Sequence, residues 1–169
     1  DNIIVGDEIP PSNQVIEEPI LLDNIITNGD FSTETLLNNL PYYLSGWTTF
    51  DGGQGSTEGY AGGIRFVTTN VGNALQSATQ NVLTPGKQYV FTYDVTYIDS
   101  TDTGDNNLHL EVGGADIDIP NTEPGLAGST GNTLTFVAEG TNFMIKRGGS
   151  NISVTLDNIS VQEVSYPEV

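Results

Sequence analysis

The stretch "YVFTYDVTYI", Tyr89 to Ile98, alternates with period two. Tyr89, Phe91, Tyr93, Val95 and Tyr97 fall on one side, and Val90, Thr92, Asp94 and Thr96 on the other. A helix would repeat every three to four residues, so this is a strand with one buried face. The pattern assigns Tyr89, Tyr93 and Tyr97 to a core. Similar alternation marks Gly63 to Thr69, Asn73 to Val82, Leu108 to Val112, Thr133 to Ala138, Asn142 to Arg147 and Ser153 to Val161. Turn signals lie between them: "TPGK", "STDTGDNN", "VGGAD", "EGTN" and "RGGSN". Many short strands at this spacing predict an all-β chain folded as a β-sandwich. Only "TETLLNNL", Thr33 to Leu40, suggests a helical turn.

The sequence divides into an N-terminal extended arm over 1–21, a body over 22–164 and a tail over 165–169. The arm holds two apolar stretches, "NIIV" and "VIEEPILL", separated by the Pro-broken "GDEIPPSNQ". A body of this length buries a core without staples. It has no Cys, which excludes disulfides and thiolate metal sites. The chain does not begin with Met and reads as a processed product or a fragment. Against 22 acids stand 4 bases, a net charge of −18. Such a surface repels nucleic acid, anionic membranes and acidic polysaccharides. No apolar run approaches the ~18 residues that span a bilayer, so membrane insertion is not expected.

"LDNI" occurs twice, at Leu22 and at Leu156, with no similarity beyond the tetrapeptide. That argues against a duplicated domain and for two strands meeting at one place. Around these copies the body carries an ordered set of marks. "NGDFS" and "SGWTTF" come first, then "GGIRFV" and "SATQNVLTPGKQYVFTYDV", and finally "FMIKRGG" and "VTLDNISVQEV". This series resembles the carbohydrate-binding modules of the family 4/9 type, calcium-bearing β-jelly rolls also found in phage virion and surface proteins.

The resemblance implies a jelly roll whose first and last strands run side by side and share a structural Ca2+. Carried over by motif, the ligands are Asp30, a backbone carbonyl of Gly62 or Gly63, and Asp157. Calcium takes six to eight oxygens from such groups. Asp30 and Asp157 otherwise cap turns, and Asp23 of the first copy is expected to be exposed. The resemblance also implies a groove for a neutral polysaccharide or glycan. It places Phe50 as a stacking ring and Gln80, Asn142 and Lys146 as polar contacts, and Thr92 and Asp94, which point away from the apolar face of their strand, are candidates beside them. His109 and Glu111 alternate with Leu108 and Leu110 and join the same face. Trp47 belongs to the core by the same comparison. The implied location is extracellular or on a virion surface.

Catalysis finds little support. His109 is the sole His, and no "GxSxG" turn is present. Asp116 and Asp118 alternate with Ile, the pattern of a solvated strand face. The four bases, Arg65, Lys87, Lys146 and Arg147, are expected to leave the core and pair with acids. The arm raises a rival role: an apolar strand built on Ile3, Ile4 and Val5, added to the open sheet edge of another copy. The chain would then be a structural subunit of a fibre or virion.

Overall fold

The computed structural model describes residues 18–32, 34–35, 43–51, 55–60, 62–68, 76–99, 108–114, 116–147 and 152–167. These residues form strands and turns, with no helix among them. The strands are β1 (Ile20–Asn24), β2 (Glu34–Thr35), β3 (Tyr43–Leu44), β4 (Thr48–Asp51), β5 (Gly55–Tyr60), β6 (Gly63–Thr68) and β7 (Gln76–Asn81). They continue as β8 (Gln88–Ile98), β9 (Leu108–Glu111), β10 (Asp116–Asp118), β11 (Ser129–Val137), β12 (Asn142–Arg147) and β13 (Ser153–Ser165). One six-stranded sheet runs β11-β8-β13-β6-β5 with β1 also on β13, and a five-stranded sheet runs β10-β9-β12-β7-β4. All pairs are antiparallel. The β-sandwich jelly roll expected from the sequence is the architecture observed.

The core lies between the two sheets. Tyr89, Phe91, Tyr93 and Val95 of β8 enter it from one side, and Phe143 and Ile145 of β12 with Leu108 and Leu110 of β9 from the other. Phe143 joins the layers, with its ring 5.1 Å from Phe91 edge-on and 6.4 Å from both Trp47 and Phe136. Edge-to-face pairs of this kind are favoured by the ring quadrupole. Trp47 is buried as expected, its Nε1–H donating to the Asn28 carbonyl at 3.2 Å.

Tyr97 departs from the sequence pattern. Along β8 the alternation holds through Val95 and then slips, because Thr155 pairs with Tyr97 while Leu156 pairs with Val95. The extra residue, Thr96, forms a bulge that turns Tyr97 to the outside, where it is 44% exposed. Three further differences follow the same logic of context over local pattern. Glu34 and Thr35 of the expected helical turn form β2 instead, and the rest of it lies outside the described residues. β5, "GSTEGY", carries no apolar alternation, yet the edge of β6 recruits it. β1 begins at Ile20, two residues before the boundary drawn from composition.

β13 holds the sheet together. Its residues 154–163 pair with β8 along one edge. Its other edge is shared by β6 near the start and β1 near the end. The strands that carry the two "LDNI" copies therefore do meet, at residues just beyond the second copy. Asn24 of the first copy accepts the Val161 N–H through Oδ1 at 2.9 Å, and Ile25 N–H donates to the Val161 carbonyl at 2.9 Å. Asn158 of the second copy sits in a second bulge at φ 49°. Asn tolerates that left-handed backbone better than most residues. Asp23 is exposed.

Candidate functional site

The inward residues of the five-stranded sheet leave their neighbours facing out, and strand register gathers those into two rows. One row crosses Phe50, Ser77, Lys146, His109 and Asp118 on β4, β7, β12, β9 and β10. The other crosses Thr48, Thr79, Met144, Glu111 and Asp116 on the same strands. Adjacent strands stand about 4.8 Å apart, so Phe50 lies about 10 Å from the Lys146 backbone. Phe50 is 56% exposed, a large ring outside the hydrophobic core. Asn142 lies on the same face of β12, opposite Asn81.

The charged part of the face is internally satisfied. Lys146 Nζ donates to Glu111 Oε2 at 2.8 Å and to Asp116 Oδ1 at 2.7 Å, with its side chain only 17% exposed. Burial works to lower the Lys146 ammonium, but hydrogen bonds to Asp116 and Glu111 outweigh it, so the group titrates above ordinary lysine. His109 Nε2 is 3.1 Å from Asp118 Oδ1. The face thus combines a free aromatic ring, hydroxyls, an amide and carboxylate acceptors, with its ammonium committed to two acids.

Of the residues assigned to a binding groove from the sequence, Phe50, Asn142 and Lys146 share this face, and His109 and Glu111 join them. Gln80, Thr92 and Asp94 do not. Gln80 points inward and is 6% exposed; its amide clamps Thr27, with Nε2–H donating to the carbonyl at 2.8 Å and Oε1 accepting the N–H at 3.1 Å. Thr92 and Asp94 lie on β8, in the opposite sheet. Asp94 there accepts the Gly131 N–H at 2.6 Å and the Asn158 Nδ2–H at 2.8 Å, tying the bulges of β11 and β13 together. Asp116 and Asp118 are the face residues whose part the sequence reading missed. Their alternation was visible, but the pairing that lays β10 beside β9 is not a local signal.

The residues expected to hold calcium lie near the meeting of β1 and β13. Asp30 Oδ1 accepts the Ser32 N–H at 3.3 Å and hydroxyl at 3.0 Å, and Asp157 Oδ1 accepts the Asn158 N–H at 2.6 Å. Asp30 therefore caps a turn, whereas Asp157 lies within β13 and accepts at its bulge. Asp157 also lies in an acidic neighbourhood. Burial first, then the charges of Asp94 and Asp30, push the Asp157 carboxyl up, against the lowering effect of the Asn158 N–H. Unneutralised acids near one another are chemically suited to a hard cation. Among the described residues, however, no group of three or more His, Cys, Asp or Glu is arranged to hold a metal ion. Gly63 has a packing reason of its own: a Cβ there would lie 2.4 Å from the Leu156 carbonyl oxygen.

Two of the remaining bases also form ion pairs. Arg65 pairs with Glu58, and Lys87 Nζ lies 3.0 Å from Glu163. Ile3, Ile4 and Val5 of the arm lie outside the described residues.

No protein-family model and no curated protein matches this chain. Several solved structures do. The enzymatically active domain of bacteriophage CBA120 tailspike protein 4 is 18% identical over 83% of this chain at a TM-score of 0.49, and this chain spans 21% of that one. A family 35 carbohydrate-binding module from Paenibacillus barcinonensis is 17% identical over 69% of this chain and 92% of its own, at 0.42. A family 4 module is 12% identical over 82% of this chain and 99% of its own, at 0.41. At such identities the likeness concerns fold, and the fold stands here on the strand order itself.

Proposed function

We propose that this chain is a non-catalytic glycan-binding module whose ligand lies across the outer face of the five-stranded sheet. The observation that carries the reading is Phe50, an exposed ring aligned by register with Lys146, His109 and Asp118. An aromatic ring offers a flat apolar platform to a sugar face, and the flanking threonines, Asn142 and carboxylates offer partners to its hydroxyls. Because Lys146 is held by Glu111 and Asp116, the face presents more acid than base, which favours a neutral glycan over an acidic one. The module is read as acting outside the cell or on a virion surface.

The test is affinity electrophoresis through soluble β-glucan, xylan and galactomannan, with Phe50→Ala beside the wild type. Retardation in at least one polymer that Phe50→Ala loses supports the reading. No retardation in any of them, or retardation that Phe50→Ala leaves unchanged, removes this face as the binding surface.

A structural Ca2+ held by Asp30, Asp157 and the Gly62 or Gly63 carbonyl belongs to the same proposal. Its support is that burial, with the nearby charges of Asp94 and Asp30, pushes the Asp157 carboxyl up. It would fasten β1 to β13.

One observation favours a second reading, assembly by strand addition. Ile20, Leu21 and Leu22 are all exposed on β1, which among the described residues pairs with β13 alone. Apolar edges of this kind pair with further strands. The solution mass of the intact chain against one lacking residues 1–19 decides it: oligomers lost on trimming support assembly, and monomers in both cases overturn it.

A further inference from the structure

The outer face of the opposite, six-stranded sheet holds a second cluster that the reading above does not use. Register lays Glu58, Arg65, Thr155 and Tyr97 in one row across β5, β6, β13 and β8. The Arg65 guanidinium stands 3.9 Å above the Tyr60 ring and pairs with Glu58. Tyr60 and Tyr97 are each 44% exposed. Tyr97 reaches this face only because of the bulge at Thr96. Its hydroxyl lies 3.2 Å from Asp99 Oδ2. Between Arg65 and Tyr97 sits Thr155, 1% exposed, whose Oγ1 is buried without a hydrogen-bond partner. Buried hydroxyls are nearly always paired, so an orphan in a native structure marks a place where a polar partner is missing.

We propose that Tyr60, Arg65 and Tyr97, set over Thr155, form a second saccharide platform for a neutral glycan, on the sheet opposite Phe50. Two exposed rings flank a cation stacked on one of them, the composition of an adaptable stacking surface. Arg65 is already matched by Glu58, and Asp99 adds negative charge, so the patch does not select an anion. The two rings stand on strands separated by β6 and β13, which spaces them for an oligosaccharide rather than for a single sugar. With Phe50 on the other sheet, one molecule would engage two glycan chains. The proposal goes beyond the Phe50 face and does not depend on it.

The experiment is affinity electrophoresis in the same three polymers with wild type, Phe50→Ala, the pair Tyr60→Ala/Tyr97→Ala, and the triple variant. Thermal melts of each verify that it is folded. Two results support the platform. One is residual binding in Phe50→Ala that the triple variant loses. The other is binding weakened at least tenfold by the tyrosine pair alone; if Phe50→Ala is then silent, the platform stands and the Phe50 reading falls. Two results overturn it. If Phe50→Ala abolishes all binding and the tyrosine pair changes nothing, the platform falls while the Phe50 face stands. If the wild type binds none of the polymers, both fall. Should Tyr60→Ala/Tyr97→Ala fail to fold, Tyr97→Ser alone replaces it, with the same outcomes.

Discussion

Close backbone approach at Gly29 explains the glycine of "NGDF" without reference to any ligand. A Cβ there would lie 1.9 Å from the Ile159 carbonyl oxygen, while the Gly29 carbonyl accepts the Ile159 N–H at 2.8 Å. Neither backbone has room to yield without breaking the seam between β1 and β13. Gly29→Ala should therefore cost about 2–3 kcal/mol, the scale of a forced overpacking, measured by urea denaturation. A cost below ~0.5 kcal/mol would show that the seam is looser than its geometry. Asp157 acts in the other direction. Its carboxyl is pushed above its ordinary value of 3.8 by burial and by neighbouring acids, so the folded state keeps a proton that the unfolded chain has released. That contribution is present below 3.8 and lost as pH rises through the raised folded value. In chelator at pH 7, Asp157→Asn should then melt higher than the wild type, and the gap should close as pH falls toward 4. Added Ca2+ should raise the wild-type melting temperature and leave the Asn variant unmoved. A wild type indifferent to Ca2+ removes the metal proposal, and an Asn variant that melts lower in chelator means the carboxylate matters chiefly as the acceptor at the β13 bulge.

Strands show how far local pattern reaches. β8, β9 and β12 were legible because each alternates large apolar residues with polar ones, and their buried sides are the ones expected. β5 was not legible, since Thr57 and Gly59, not large apolar residues, occupy its inward positions. Tyr97 was misassigned because a bulge shifts the period by one, and nothing in "DVTYI" announces it. The candidate face was half legible for a related reason. Alternation tells which residues share a side of one strand, as with Asn142, Met144 and Lys146, but not which sheet the strand joins. Thr92 and Asp94 met the alternation test and still belong to the opposite layer. The β12–β9–β10 strip gives the element-scale prediction. Lys146 titrates above its ordinary 10.5 despite burial, so its ion pairs stabilise the fold fully below that value and are lost as pH rises through the folded value. Lys146→Met should cost about 1–2 kcal/mol at pH 7, between an exposed pair and a buried one, because Glu111 and Asp116 are left facing each other. The difference between wild type and variant should shrink above pH 10.5. Burial raises the Tyr93 hydroxyl and adds an alkaline loss of the same sign, but one present in both proteins. A difference that is flat with pH would mean Lys146 acts through its packed stem and not through its charge.

Charge is the property of the whole molecule that single contacts do not express. With 22 acids against 4 bases, the net charge of −18 makes the compact state repel itself. The ion pairs seen at Arg65, Lys87 and Lys146 absorb only a few of those acids. Raising ionic strength from 0.01 M to 0.15 M shortens the Debye length from about 30 Å to about 8 Å, which screens the long-range part of that repulsion. A gain of about 1 kcal/mol would raise the melting temperature by about 2–4 °C for a domain of this size. The same titration separates two kinds of partner. A neutral glycan on Phe50 gains from ring contact and hydroxyl bonds, which salt barely touches, so its affinity should stay within about twofold across that range. A cationic polymer drawn by the net charge would bind more weakly by an order of magnitude or more as counterions compete. Calorimetric affinity at the two ionic strengths, beside the melting curves, reads both effects on one sample. Affinity that collapses while stability rises would assign the binding to charge and withdraw the neutral glycan. Constant affinity with rising stability would leave the aromatic face as the source of recognition, and the acid coat as a barrier to anionic surfaces.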